Sequence, residues 1–116
     1  MNEGNVVIVA MPQADGSVKN RPTIILREMP PFQDMLLCGV SSQLHQEVKG
    51  FDEIITPTDS DFATSSLVGK SLIRLGFLAI VSQSRIIGVI GSVSSARHQR
   101  LLKKLSDLLD SMIKAE

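Results

Sequence analysis

Runs of apolar and β-branched residues alternate with short polar breaks over the first ninety residues, a pattern typical of short strands. The third run is apolar without interruption, so we expect it at the centre of a sheet, covered on both faces. Glycines at 76, 88 and 91 interrupt the last two runs and predict bulges or sharp bends. The predicted strands cover residues 5–12, 21–28, 34–42, 53–55, 71–82 and 85–91.

The chain ends in a segment with helical period. Ser94 or Ser95 provides an N-cap, and the helix is predicted to run to about Lys114. We expect its apolar stripe to pack on the sheet, although the stripe is also suited to docking a partner helix. The stripe consists of Leu101, Leu105, Leu108 and Met112, widened by Leu102, Leu109 and Ile113. Strands followed by one terminal helix predict a mainly β (α+β) fold, a compact antiparallel barrel capped by the helix.

The composition narrows the class of protein. At 116 residues the chain is predicted to be a single domain, residues 1–116. With no Trp, no Tyr and four Phe, the core must be aliphatic. The lone Cys38 lies in an apolar run and is expected to be buried and inert, and one cysteine with two distant histidines argues against a zinc site. No signal-peptide pattern and no apolar run long enough for a bilayer are found, so a cytoplasmic protein without membrane contact is expected.

The net charge is zero but unevenly distributed. Residues 47–61 have a net charge of −4, and residues 62–116 a net charge of +5. The acidic stretch is expected to be a solvated loop that keeps polyanions off one face. The basic cluster is expected to be a solvated helix face; it comprises Arg97, His98, Arg100, Lys103 and Lys104. An overall basic footprint for nucleic acid is missing, but a local basic face remains open.

The segment between the first two strands is the first candidate site. Gly16 lets the backbone approach a ligand closely, and neighbouring N–H groups can bind an anion. Arg21 at the start of the second strand is suited to a bidentate phosphate contact, with Ser17 and Lys19 beside it. The residues leave two interpretations open: a phosphate cradle, or a solvated hairpin loop with an incidental arginine.

The end of the third strand is the second candidate. Ser41, Ser42 and Gln43 can hydrogen-bond a phosphate oxygen or a ribose hydroxyl, and His45 is either a general base or an exposed loop histidine. Arg74 lies among apolar strand residues, so it must be paired or face a cleft. An ion pair with the acidic 47–61 stretch is the simpler of these two outcomes.

Together these motifs resemble the MazF/PemK family of growth-inhibiting toxins of type II toxin–antitoxin systems. Gly4-Asn5 and the first strand are similar to the family's opening, and Gly16-Ser17 and Arg21-Pro22 to its Gly-Ser loop and Arg-Pro pair. Val40-Ser41-Ser42-Gln43 resembles its Ile-Thr-x-Gln segment, and Leu72-Ile73-Arg74 its Arg-containing strand. Val18 departs from a frequent Glu, and Phe77 lies near a frequent Asp.

The resemblance implies an SH3-like twisted barrel and an endoribonuclease that cleaves single-stranded RNA or mRNA without a metal or other cofactor. It implies that Arg21 and Ser41 are catalytic: Arg21 stabilises the phosphorane charge and helps to protonate the leaving group, and Ser41 hydrogen-bonds the phosphate. The RNA groove would be lined by Gly16, Ser17, Lys19, Ser42, Gln43, His45 and Arg74. The implied partners are a cognate antitoxin, RNA, a second copy in a homodimer, and operator DNA bound through the toxin–antitoxin complex.

A second hypothesis is a non-catalytic barrel. The same fold is used by the CcdB-type gyrase poison, which acts by protein contact. The departure at Val18 and the neutral net charge fit such a binder, or an inactive member of the MazF/PemK family. Fold by itself does not separate the hypotheses.

Overall fold

The structure is a computed structural model that describes residues 1–12 and 14–114, with side chains as far as Ser111. Two short 3₁₀ turns lie at Leu44–Gln46 and Gln83–Arg85. The strands are β1 Asn5–Pro12, β2 Val18–Met29, β3 Asp34–Ser41, β4 Glu53–Ile55, β5 Ser71–Val81 and β6 Ile86–Ser92. The helices are α1 Phe62–Ser65 and α2 Ser95–Lys114.

The strands form one antiparallel sheet in the order β4-β5-β3-β2-β1-β6. The mainly β class with a C-terminal helix is therefore confirmed, and β3 lies in the interior of the sheet as predicted. Over the described ranges the sheet is open, with β4 and β6 as its two edge strands. Leu37 on one face of β3 and Cys38 and Val40 on the other are all buried.

The second strand begins earlier than its pattern indicates. Val18 pairs with Pro12 and Lys19 with Met11, so the β1–β2 ladder runs almost to the turn. The loop predicted between the strands 5–12 and 21–28 is thus wrong from Val18 onward, and Gln13 lies outside the described residues. Cross-strand hydrogen bonding extends the hairpin through polar residues whose own propensity favours a loop. Lys19 is consequently held on a strand.

The predicted bulges are confirmed. The β1–β6 register shifts at two places, one close to Gly88 and one close to Gly91. The β3–β5 register shifts between Cys38, which pairs with Leu78, and Gly39, which pairs with Arg74. Residues 75–77, which include Gly76, are the extra residues on β5.

Each face of the sheet contributes an apolar cluster. The helix-side cluster combines side chains of the sheet with side chains of α2. It includes Val6, Ile24, Leu26, Val40, Ile55, Ile73, Leu75, Leu101 and Leu105. The opposite cluster comprises Val7, Val9, Met11, Ile25, Met35, Leu37 and Ile86. The helix stripe packs on the sheet only in its first half, because Leu108 and Leu109 are half or more exposed. The side chains of Met112 and Ile113 lie outside the described set.

The first turn of α2 is attached to the sheet by a buried arginine. Ser94 provides the N-cap, since its Oγ accepts the Arg97 N–H at 3.1 Å. The Arg97 guanidinium donates to Glu53 and Asp61 at 2.8 Å each and to Asp59 at 3.2 Å. Its side chain is only 6% exposed. The prediction that Arg97 lies on a solvated face is wrong.

The acidic stretch is likewise not a solvated loop throughout. Asp52, Glu53 and Asp61 are buried, and Glu53 also pairs with Arg100 and Lys104 at 3.2 Å. Neither charge run could reveal this from sequence, because the two stretches meet only when α2 packs beside β4. His98 also departs from the predicted face, since its Nε2 lies 2.8 Å from the Leu26 carbonyl oxygen.

The ion pairs around Arg97 and Glu53 lower the pKa values of two buried carboxylates. Burial works to raise the pKa of Glu53, but hydrogen bonds from Arg100 and Lys104 outweigh it, and the pKa lies below its ordinary value. Burial opposes ionisation of Asp61 too, and the Arg97 and Ser94 hydrogen bonds bring its pKa below the ordinary value. The lowered pKa values mean that folding favours both charged carboxylates.

We expect Gly91→Ala to destabilise the protein. A Cβ at Gly91 would clash with the Thr64 carbonyl oxygen, where α1 crosses β6. The resulting overpacking should lower the free energy of unfolding by about 1–3 kcal/mol in urea titrations. Gly88→Ala on the same strand is the matched control, because no atom lies within 4 Å of its Cβ position. Equal stability of the two variants would contradict the close approach.

We expect Arg97→Met to lower the free energy of unfolding at pH 7 by about 3–5 kcal/mol, because it leaves Asp61 buried without its cation. The native pKa values of Glu53 and Asp61 are lowered, so their contribution in wild type is complete only above their ordinary pKa values, at about pH 5 and higher, and is lost as pH falls through the native pKa values. Urea titrations at pH 7 and in acid should therefore show the gap between the variant and wild type narrowing in acid.

Arg27→Met is the control for this experiment. Arg27 is 61% exposed at the side chain and pairs with Glu3 at 3.3 Å, so its replacement should change the free energy of unfolding by less than about 1 kcal/mol. A gap between wild type and Arg97→Met that stays constant with pH would contradict the assigned role of the buried carboxylates.

Candidate functional site

The strand register brings the two predicted catalytic residues to one place. Thr23 of β2 pairs with Gly39 of β3, and Arg21 and Ser41 lie two residues beyond this pair, toward the same end of the two strands. Gly39 also pairs with Arg74 of β5. Because alternate residues share a face, the side chains of Arg21, Ser41 and Arg74 emerge on the sheet face opposite α2.

Two pockets open on either side of this point. The first has a volume of about 410 Å³ and the second about 530 Å³. Their common wall is formed by Arg21, Pro22, Val40 and Ser41. The first pocket continues past Gln43 and Arg74, and the second past Lys19 and Ser42. Arg21, Ser41 and Arg74 are half-buried, so they are positioned by the sheet yet reachable from solvent.

The groove formed by the two pockets is positively charged. Four cationic side chains line it: Lys19, Arg21, Lys70 and Arg74. Among the described lining residues there is no Asp, Glu or His. A chain of zero net charge thus presents a local basic surface, the outcome that the sequence left open. Such a surface attracts polyanions, since local charge placement and not the net sum governs steering.

Ser41 is oriented by its own chain. Its Oγ accepts the Gln43 N–H at 3.0 Å. That bond uses a lone pair of the hydroxyl and not its hydrogen, so the O–H can still donate to an anion. The turn after β3 therefore holds Ser41 at the common wall while Gln43 lines the first pocket.

Three of the predicted groove residues lie elsewhere. Gly16 and Ser17 occupy the exposed β1–β2 turn, where the N–H and Oγ of Ser17 both donate to Asp15 Oδ1, at 2.9 and 2.6 Å. The Ser17 hydroxyl and backbone bonds hold the pKa of Asp15 below its ordinary value. His45 is exposed in the 3₁₀ turn and is not among the lining residues, although its neighbour Gln46 is. Their role in binding stays a prediction.

Sequence reasoning missed Lys70, Gln46 and Phe77 as groove residues. Lys70 lies in the bend between α1 and β5, a segment in which the sequence analysis found no motif. Gln46 is one residue from the proposed His45. Two features of the sequence could have indicated Phe77. It is one of only four Phe, Tyr or Trp residues in the chain, and it follows Gly76 within a strand.

Arg74 faces the cleft and is not paired with the acidic stretch. Its guanidinium lies over Phe77 instead, with the guanidinium carbon 5.9 Å from the ring centre. The expected ion pair with residues 47–61 is made by Arg97 instead. The sequence pointed to Arg74 because it lies inside an apolar strand run. The cation that pairs with the acidic stretch is instead Arg97, which lies on α2 and not on β5.

Cys38 is fully buried, as expected, and lies in the helix-side cluster. Burial raises the pKa of its thiol to about 12, so the reactive thiolate is suppressed. In the described part of the chain, no three His, Cys, Asp or Glu side chains are grouped so that they could hold a metal ion. Of the described helices, none is long and apolar enough to cross a membrane.

The chain belongs to the family of PemK-like, MazF-like toxins of type II toxin–antitoxin systems, whose family model matches residues 2–109. No curated protein shows significant similarity to the chain. A type II toxin is by definition paired with an antitoxin, so membership of this family identifies a cognate antitoxin as a partner. The resemblance carried by the motifs is thereby confirmed.

We expect Cys38 to be unreactive in the folded protein, because its thiol is buried and has a raised pKa. A colorimetric thiol reagent at pH 8 should label it only after denaturant is added, with a rate that follows global unfolding. Rapid labelling of native protein, compared with the denatured sample as control, would contradict this burial.

Proposed function

We propose that the protein is a growth-inhibiting toxin that acts as a metal-independent endoribonuclease on single-stranded RNA. The observation that carries the proposal is the convergence of Arg21 and Ser41 on the common wall of two pockets whose charged lining residues, among those described, are all cationic. Family membership supports the toxin assignment. The charge of the groove supports a polyanionic substrate.

The proposed reaction is an intramolecular transesterification. The ribose 2′-oxygen attacks the adjacent phosphorus, and the bond from phosphorus to the 5′-oxygen breaks. The 2′-hydroxyl loses a proton and the departing 5′-oxygen gains one. The products therefore carry a 2′,3′-cyclic phosphate and a 5′-hydroxyl, and no oxidant or metal is consumed.

Arg21 and Ser41 are suited to the charged stage of this reaction. Phosphorane formation adds negative charge at phosphorus, and donors already fixed in place stabilise that charge without reorganisation. The Arg21 guanidinium is a planar cation with N–H donors arranged for bidentate contact with phosphate oxygens. The Ser41 hydroxyl, fixed by its bond from Gln43, donates to a second phosphate oxygen.

The groove also suits a single strand in particular. Pockets on both sides of the phosphate position provide room for a nucleotide on each side, with Arg74 in one pocket and Lys70 in the other. Bases can enter such pockets only when they are unstacked and unpaired. We propose that Lys19, Ser42 and Gln43 contact the backbone or bases there.

The remaining partners are also proposals. Exposed apolar residues on β5 and β6 support a homodimer; they are Leu78, Ile80, Ile87 and Val89. We propose that the toxin–antitoxin complex, and not the toxin by itself, binds operator DNA. A cytoplasmic location follows from the proposed substrate.

A second candidate has one observation in its favour. The described lining residues lack the His, Asp and Glu side chains that most often transfer protons at neutral pH. A CcdB-like barrel that binds a protein target, or an inactive family member, needs no such group. RNA cleavage separates these candidates from the ribonuclease.

We expect the purified protein to cleave a long single-stranded RNA in the presence of EDTA and to leave cyclic-phosphate ends. Arg21→Ala should slow cleavage by roughly 10²–10³-fold, because it removes the main stabiliser of the phosphorane charge. Gel analysis measures the cleavage rate, and end-group chemistry identifies the cyclic phosphate. Circular dichroism checks that the variant is folded.

Arg27→Ala is the matched control, since Arg27 lies on the same strand but is exposed and away from both pockets. Its cleavage rate should equal that of wild type. Full activity of Arg21→Ala would overturn the site assignment. RNA left intact by folded wild type at high concentration would shift the weight to the protein-binding candidate.

A further inference from the structure

Phe77 is placed in the first pocket by an unusual close contact. It is the one aromatic side chain among the described residues that line the two pockets. A Cβ on Gly39 would lie 2.8 Å from Phe77 Cδ1, so the ring rests directly on the Gly39 backbone. Any other residue at position 39 would displace the ring, and the contact between Phe77 and the Gly39 backbone therefore fixes one side of the ring.

The β5 bulge holds Phe77 in this position. Residues 75–77 are inserted between Arg74, which pairs with Gly39, and Leu78, which pairs with Cys38. The Leu75 N–H donates to the buried carboxylate of Asp52 at 3.0 Å, so the first bulged residue keeps a fixed hydrogen bond. Bulges re-aim side chains beside sites. Here the bulge brings Phe77 and Arg74 into the same pocket.

The ring is accessible although it is held in place. Phe77 is 40% exposed, and the Arg74 guanidinium carbon lies 5.9 Å from its ring centre, within range of a cation–π contact. Phe51 and Phe62 pack against the helix-side cluster instead. Phe32 is 83% exposed but lies in the turn between β2 and β3, away from both pockets. An exposed aromatic beside an arginine in a basic pocket has the chemistry of a base-stacking platform.

We propose that Phe77, held by Gly39 and accompanied by Arg74, is the surface on which one base of bound single-stranded RNA stacks. The base belongs to a nucleotide beside the phosphate held at Arg21 and Ser41, because all four side chains line the first pocket. This inference rests on the proposed function and deepens it. Stacking on Phe77 tolerates any base, so Phe77 is a positioning residue that sets affinity and not the identity of the base.

A spectroscopic test uses the absence of Trp and Tyr from the chain. Phe77→Trp introduces a single indole at the proposed platform. A short single-stranded RNA of mixed sequence, with every ribose 2′-O-methylated to prevent cleavage, serves as the probe. We expect the probe to quench the indole of Phe77→Trp and to leave that of the matched control Phe32→Trp unchanged. Equal responses of the two variants would overturn the proposal.

An affinity test keeps the native fold close to wild type. Phe77→Leu should weaken binding of a fluorescent form of the same probe by roughly five- to hundredfold, because a base loses its stacking partner. Phe77→Tyr should bind within a few-fold of wild type, and Phe32→Leu should match wild type. The salt dependence of Phe77→Leu should keep the wild-type slope, since no phosphate contact is removed.

The failures are distinguishable. Wild type that neither binds the probe nor cleaves unmodified RNA would overturn the proposed function and this inference with it. Wild type that binds and cleaves, together with Phe77→Leu of unchanged affinity, would overturn this inference only. A loss of affinity in Phe77→Leu that is matched by a lower Tm or a changed oligomeric state, and is not rescued by Tyr, would also overturn it, because Phe77 would then be structural.

Discussion

The buried guanidinium of Arg97 is the interaction on which the arrangement of helix and sheet depends. It joins the first turn of α2 to Glu53 on β4 and to Asp59 and Asp61 before α1. A buried charge without partners costs several kcal/mol, so these groups stabilise the fold only when all are in place. β4 pairs with β5, which in turn carries Arg74 beside β3. Arg97, which attaches α2 to β4, is thus connected through β4 and β5 to the groove.

The same network explains how a neutral chain presents a positive groove. The buried carboxylates of residues 47–61 are engaged on the helix side by Arg97, Arg100 and Lys104, or by backbone N–H groups in the case of Asp52. Arg21 and Arg74 line the groove, and the described lining residues include no carboxylate side chain. The separation of acidic from basic side chains within the fold, and not an excess of basic residues, therefore creates the surface that we propose binds RNA.

Part of the site was predictable because strand order fixes it. Arg21 begins one strand run and Ser41 ends the next, and antiparallel neighbours bring the start of one strand to the end of the other. Arg74 was recognisable as an arginine inside an apolar run. Gly16 and Ser17 lie outside the pockets. The Ser17 N–H and hydroxyl donate to Asp15 within the turn, and β2 begins only at Val18. The sequence pattern alone does not show whether the Ser17 donors bind Asp15 or a phosphate.

The sequence by itself determined the strand runs, the terminal helix, the bulge-forming glycines and the family. These features depend on residue order and local propensity, which are legible along the chain. Only the tertiary structure decided that Arg97 is buried with the acids, that Phe77 rests on Gly39, and that Lys70 reaches the groove. Each of these facts requires residues distant in sequence to meet, and their meeting is governed by packing, register and the cost of burying charge.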